Sequence, residues 1–259
     1  MAWTERLTLA EETARAAGAL LRTRFGHHLQ IRSKGLRSNL VTDADTQSED
    51  LIRAAIARRF PDDAVLGEEE GQRGSGNARW IIDPLDGTTN FAHGYPCFAV
   101  SIAFEADGEV VVGVVYDPMR DELFIAQRGE TSRCNGGAIA VSKTAQLGDA
   151  LLATGFPPHD GINLPNLTEF DAFMRRGRAM RRDGSAALDL CYVASGRFDG
   201  FWEPELHSWD VAAGALIVEQ AGGKVSDYRG GRIALEGRRI VASNGLIHDE
   251  MIDVLKISN

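Results

Sequence analysis

Cysteine is scarce in this chain of 259 residues, and Cys97, Cys134 and Cys191 include no C-x-x-C pair. That excludes a thiolate zinc site and a disulfide framework, and leaves buried free thiols in a reducing compartment as the expectation. Neither Cys nor Ser is placed as an obvious nucleophile, and the six histidines, His27, His28, His93, His159, His207 and His248, are scattered. No apolar run is long enough to cross a membrane, and the charged stretch from Met1 to His28 does not read as a signal peptide. A cytoplasmic location is the resulting expectation. Basic residues are in deficit: 28 Lys and Arg face 37 Asp and Glu, a formal charge of −9. That balance argues against nucleic acid or an anionic membrane as the main partner. An acidic protein handling an anionic ligand would repel it, and would need a metal as counter-charge.

What is present is an ordinary globular composition, 44% hydrophobic and 25% charged, enough for a large core in one domain or two packed halves. Leu7, Ala10, Ala14, Ala17, Leu20 and Leu21 recur at helical spacing between Thr4 and Phe25, and a second helix is expected from Thr46 to Phe60, stopped by Pro61. Gly71 to Asn77 holds three glycines and reads as an exposed loop, without the spacing of a dinucleotide site. Trp80–Ile82 is a short apolar strand, and Phe98–Phe104, Val110–Tyr116 and Glu122–Gln127 follow as an antiparallel meander between turn signals. Ala186–Ser195 and Val211–Ala221 read as helices, Lys224–Ser226 and Ile240–Ser243 as strands. The mixture predicts an α/β sandwich in layers with largely antiparallel sheets.

The most informative segment is Trp80–Phe91, WIIDPLDGTTNF. An apolar strand delivers Asp83, a Pro-containing turn follows, and Asp86 comes three residues later with Gly87 and Thr88 behind it. Two carboxylates there repel unless a cation lies between them. Magnesium suits a site of few carboxylates and several waters. Gly87 lets backbone approach a ligand, and a helix starting near Thr88 would offer free N–H groups to phosphate. An ordinary strand–turn–helix with Asp86 as a cap explains the fragment equally well. Glu68, in Gly67-Glu68-Glu69-Glu70, reads alone as part of a solvated acidic turn, and Asp210, in WDVAAG, as a helix N-cap.

Taken together, Glu68 after a strand, WIIDPLDGTTNF and WDVAAG resemble the inositol monophosphatase family in order and separation, over roughly Ala10 to Ser243. The resemblance implies an αβαβα layered sandwich with largely antiparallel sheets, in a single phosphatase domain of two packed halves. Residues of about 1–140 would serve metal and phosphate, and about 141–259 the substrate. It implies a Mg²⁺-dependent, Li⁺-sensitive homodimer hydrolysing a small phosphate monoester, with two to three ions. Glu68, Asp83 and the Leu85 carbonyl would hold the first ion, and Asp83, Asp86 and Asp210 the second. Gly87 and Thr88 would bind phosphate, and Thr88, oriented by Asp45 and aided by Glu68, would serve the attacking water. Lys34 would lie in a mobile loop. Glu203 would contact substrate hydroxyls beside a loop of Asp183, Gly184, Ser185 and Ala186. His93 is not expected to take part, and His207 is expected as a structural or rim residue.

The DGTTN motif departs from the DGTKEF-like and DGTRSF-like patterns of relatives acting on nucleotide 3′-phosphates and histidinol phosphate, which favours inositol 1-phosphate. Fructose 1,6-bisphosphate, histidinol phosphate and adenosine 3′,5′-bisphosphate are the alternatives. Arg175, Arg176, Arg178, Arg181 and Arg182 are expected on a solvated helix face, with a second phosphate contact as the other reading. A non-catalytic regulatory scaffold on the same fold is the competing class, though the carboxylates such a scaffold would lose are all present. Asp83→Asn relieves repulsion while removing the bridging ligand, so it is expected to abolish phosphate release with little loss of fold. Activity and a thermal melt of the variant check this, and retained turnover removes the two-metal assignment.

Overall fold

The computed structural model describes residues 3–27, 31–33, 40–158, 164–235 and 238–256. Lys34, and with it the expected mobile loop, lies outside them. The amino-terminal part contains α1 (Thr4–Arg24), β1 (Ile31–Ser33), β2 (Leu40–Thr42), α2 (Asp43–Arg59), β3 (Ala64–Gly67), β4 (Gly71–Arg73), β5 (Ala78–Asp86) and α3 (Thr88–Ala92). The meander follows as β6 (Ala99–Ala106), β7 (Glu109–Asp117) and β8 (Glu122–Gln127), extended by β9 (Arg133–Cys134) and β10 (Gly137–Ala138). Then come β11 (Leu151–Thr154), α4 (Leu167–Met174), β12 (Ala179–Arg181), α5 (Ala186–Ala194), β13 (Gly200–Pro204), α6 (Ser208–Gln220), β14 (Lys224–Ser226), β15 (Arg239–Ser243) and α7 (His248–Leu255).

These elements stack in five layers, αβαβα. One sheet has eight strands in the order β10-β9-β8-β7-β6-β5-β3-β4, the other five in the order β12-β11-β13-β15-β14. The large sheet is antiparallel except where β3 runs parallel to β5; in the small one β11 is parallel to β12 and β13. α1 and α2 cover one face of the large sheet, α5 and α6 fill the space between the sheets, and α4 and α7 close the outer face of the small sheet. Strand alternation sorts side chains among the layers. Trp80 and Ile82 of β5 pack under α1 and α2, whereas Ile81 between them packs toward α5 and α6. In β13, Phe201 faces the central helices and Trp202 the outer ones. Burial on both faces is why β6 and β7 read as nearly continuous apolar runs. No helix among the described residues is long and apolar enough to cross a membrane.

The structure departs from the sequence expectations in several places. β5 continues past Ile82 through Pro84 to Asp86. Asp83 pairs with Ser101 and Asp86 with Ala99, so three steps on β5 match two on β6, and a bulge takes the place of a turn. Proline is compatible there because a bulge interrupts the ladder. The glycine-rich loop contributes β4, which pairs with β3 at the sheet edge. Helix α2 begins at Asp43, three residues early, because Thr42 and Asp45 form a capping box. The arginine run does not ride on a helix: α4 stops at Met174, and the chain turns into β12, where Ala179 pairs with Leu151. Cys134 is only partly buried, whereas Cys97 and Cys191 are buried, and all three are free thiols.

His248, the first residue of α7, is fully buried. Its Nε2 lies 2.8 Å from Ser226 Oγ and its Nδ1 2.9 Å from Ser243 Oγ. Ser226 donates its own proton to the Asp227 carbonyl, and Ser243 already accepts the Gly245 amide. The network therefore fits a neutral ring that donates from Nε2 and accepts at Nδ1. Burial, reinforced by Lys224, pushes the imidazole down from 6.5 to about 4. The folded pKa is depressed, so this contribution is full above pH 6.5 and is lost as pH falls toward 4. Urea titrations between pH 7 and 4 should show the wild type losing about 1.4 kcal/mol per pH unit more than His248→Gln at the lower end. Parallel curves would show that His248 is not the titrating group.

Candidate active site

Because β3 is parallel to β5, with Gly67 opposite Ile82, their carboxyl ends lie side by side, and Glu68 emerges next to Asp83. Asp210 approaches from the layer of central helices. It is the third residue of α6 rather than its cap, and its Oδ2 accepts the His207 amide at 2.6 Å. Glu68, Asp86 and Asp210 line one open cleft of about 600 Å³. Asp83 lies behind them, 1% exposed, with Oδ1 accepting the Leu85 amide at 3.0 Å. Burial pushes the Asp83 carboxyl well above the usual range, and the charges of Glu68, Asp86 and Asp210 push the same way. Asp86 rises to about 6, burial outweighing the hydrogen bonds from Ser185 and the Ala187 amide.

Gly87 caps α3 with φ 93°, and a Cβ there would stand 2.9 Å from the Cys97 carbonyl, so both conformation and space require glycine. Thr88 begins α3. Its Oγ1 lies 2.9 Å from Asp45 Oδ1 and 3.1 Å from the Leu85 carbonyl. Asp45 is fully buried, and Thr42 donates to its other oxygen from both the amide (2.9 Å) and the hydroxyl (2.6 Å). Burial nevertheless raises the Asp45 pKa.

The second half reaches the same cleft. Ala186, Gly184 and Glu203 line it, with Arg182 and Glu205, and His207 stacks on Trp209 at its edge with centroids 4.6 Å apart. Ser185 is buried and caps α5, and its hydroxyl donates to Asp86 Oδ2 at 2.6 Å. The Asp183 carbonyl accepts from Asn90 Nδ2 at 2.7 Å, while its carboxylate is not among the groups lining the cleft. His93 also lines the cleft.

Beyond Asp45 and Ser185, sequence reasoning did not find the residues that hold this arrangement in place. Glu49 of α2 accepts the Glu69 and Glu70 amides at 2.8 and 3.0 Å and pairs with Arg53 at 2.7 Å, anchoring the turn that carries Glu68. Ser48 donates to the Pro84 carbonyl at 2.8 Å and pins the bulge. Asn90 ties α3 to the Cys97 carbonyl at 2.7 Å as well as to Asp183. The available signal was a run of polar residues, Asp45, Ser48 and Glu49, at helical spacing on the face of α2 that packs inward.

No three His, Cys, Asp or Glu side chains among the described residues are gathered closely enough to form a metal cage unaided. The donor set nevertheless suits a hard cation. It consists of oxygens only, it opens onto a cleft where water and substrate can complete the shell, and its carboxylates repel one another without a counter-charge.

Comparison with known proteins agrees with this geometry. Residues 2–258 match the inositol monophosphatase family. The inositol-1-monophosphatase of Synechocystis is 46% identical over 253 residues, covering 96% of this chain and 88% of that protein. The Nus factor SuhB of Pseudomonas aeruginosa is also 46% identical, covering 92% of this chain and 91% of its own. The crystal structure of the extragenic suppressor protein suhB from Bartonella henselae superposes with a TM-score of 0.92 at 41% identity, covering 97% and 98% of the two chains. Members of this family are generally metal-dependent. The chain belongs to the inositol monophosphatase family and is a phosphoric monoester hydrolase.

Proposed function

We propose that the cleft hydrolyses inositol 1-phosphate, or a closely similar polyol phosphate, by attack of water with Mg²⁺ as cofactor. The observation that carries this reading is Thr88, whose hydroxyl is held by the buried Asp45 while it faces a cleft lined with carboxylates. Glu68, Asp83 and the Leu85 carbonyl would hold one ion, Asp83, Asp86 and Asp210 a second, with a looser third on the Glu68 side. When bound, such ions offset phosphate charge and lower the pKa of water.

The protein's own groups do the rest. With its proton directed at Asp45, Thr88 Oγ1 keeps its lone pairs for a water molecule, which it orients by accepting one hydrogen. Glu68 accepts the other. The amides of Gly87 and Thr88 precede the first intrahelical bond of α3, from Phe91 N to the Gly87 carbonyl, and donate to phosphate oxygens. Attack by water needs no protein nucleophile. Glu203 accepts hydrogen bonds from substrate hydroxyls, with Gly184 and Ala186 forming the adjoining wall. Lithium sensitivity and a homodimeric state rest on the family likeness.

A second reading, a regulatory role separate from turnover, is favoured by the name Nus factor SuhB carried by a relative 46% identical to this chain. Phosphate release with Mg²⁺, measured on inositol 1-phosphate, fructose 1,6-bisphosphate, histidinol phosphate and adenosine 3′,5′-bisphosphate, separates the two. Preference for inositol 1-phosphate, abolished by a chelator, is the expected result, and silence on all four favours the regulatory role. Glu203→Ala should cut kcat/KM for inositol 1-phosphate by about tenfold or more while sparing an aryl phosphate. Equal losses on both substrates would take Glu203 out of substrate recognition.

A further inference from the structure

Glu203 is 8% exposed and lines the cleft, with its carboxylate against the residue that follows β11. What makes that position possible is the residue facing it. A Cβ on Gly155 would lie 2.2 Å from both Oε1 and Oε2 of Glu203, far inside contact distance. Gly155 has no positive φ, unlike Gly87, so no left-handed conformation calls for a glycine there. The glycine is required here for space alone.

The backbone on both sides of this contact is held by a buried polar network. β11 and β13 are parallel neighbours, with Thr154 opposite Trp202, the residues just before Gly155 and Glu203. Thr154 Oγ1 donates to the Trp202 carbonyl at 2.6 Å. Asn166, buried at the start of α4, donates from Nδ2 to Thr154 Oγ1 and to the Gly155 carbonyl, each at 2.7 Å. Its Oδ1 accepts Trp202 Nε1 at 2.6 Å. Asn166 thus uses its amide at both ends and joins the two strand ends to each other. With the strands tied, a new Cβ at Gly155 cannot be accommodated by separating β11 from β13. The end of a flexible side chain moves at lower cost than tied backbone, so Glu203 moves, and the cleft is the open space available to it.

We propose that Gly155 is a specificity-determining position. By lacking a side chain it lets Glu203 lie flat against β11, which sets the width of the cleft and the depth at which a polyol is read. A side chain at Gly155 pushes the Glu203 carboxylate into the cleft and narrows it, without touching the groups that serve the phosphate. This rests on the reading of Glu203 as the hydroxyl acceptor, and the test keeps the two apart.

The test compares Gly155→Ala, the double variant Gly155→Ala with Glu203→Asp, and wild type on inositol 1-phosphate and on p-nitrophenyl phosphate. The expected result is that Gly155→Ala lowers kcat/KM for inositol 1-phosphate about tenfold relative to the aryl ester, mainly through KM. The shorter aspartate side chain of the double variant, drawn back by one methylene, should recover part of that loss. A merely structural effect would lower both substrates together and would not be relieved by shortening the acid. An unchanged substrate ratio in a folded Gly155→Ala overturns the proposal. A crystal structure of Gly155→Ala tells the two readings apart. A Glu203 carboxylate in its original place overturns the steric premise of the proposal, whereas a displaced carboxylate with an unchanged substrate ratio removes Glu203 as the hydroxyl acceptor, and the proposal with it.

Discussion

Asp83 is a carboxylate removed from water and placed among three others, and much of the site can be understood from that repulsion. A protein does not hold such a group cheaply, since burial and like charge both favour its neutral form. The arrangement persists because the surrounding backbone is fixed by elements that do not depend on the carboxylates. β5 is central in the large sheet, paired on both sides, and buried against helices on both faces. The bulge at Pro84 and Leu85 then turns Asp83 and Asp86 toward the same end of the strand. A hard cation removes the repulsion, which ties the metal dependence general in this family to the electrostatics of its fold.

Around that centre the neutral and paired groups are specialised for position. Glu49 and Arg53 anchor the turn that carries Glu68, Ser48 pins the bulge, and Ser185 and the Ala187 amide hold Asp86. Apart from the Glu49–Arg53 pair within α2, these bonds join separate elements: Ser185 lies 99 residues from Asp86. The helix starts serve the same end. Asp45 and Asp210 both occupy the third position of their helices, where a carboxylate reaches back to the amide of the cap residue. One oxygen is thereby held by the backbone; in Asp45 the other receives Thr88.

The two sheets divide the work. The large sheet supplies Asp83 and Asp86 directly and places Glu68 and Thr88 next to them, whereas the small sheet supplies Glu203 and, opposite it, Gly155. The central helices α5 and α6 connect the two, since the cap of α5 bonds Asp86 and the first turn of α6 carries Asp210. On the proposed reading, the groups that would serve the phosphate are set mainly by the large sheet and its contacts, and those that would face the rest of the substrate by the small one.

Local chemistry makes part of this legible from residues alone. The helical spacing of α1, the meander β6–β8 and the two signature segments depend on neighbours within a few positions, where periodicity and turn residues act directly. The start of α2 and the cap of α6 differ from expectation because capping boxes compete with the simpler pattern of apolar spacing. The arginine run lies off the helix expected for it because composition does not reveal that β12 is drawn into a sheet by β11. WIIDPLDGTTNF and WDVAAG mark the carboxylates, since motif residues retain their order whatever the fold does between them. Glu49, Asn166 and Gly155 carry no such mark, and Asn90, although inside the first segment, is not marked there for its bond to Asp183: these partners lie elsewhere in the chain, and only packing of the layers brings them within hydrogen-bond or contact distance. Residue order and type alone establish which acids and which threonine are available, and what kind of sandwich they sit in. Which of them share one cleft, and what holds each in place, is settled by layer packing, because those contacts form only between elements that the fold brings together.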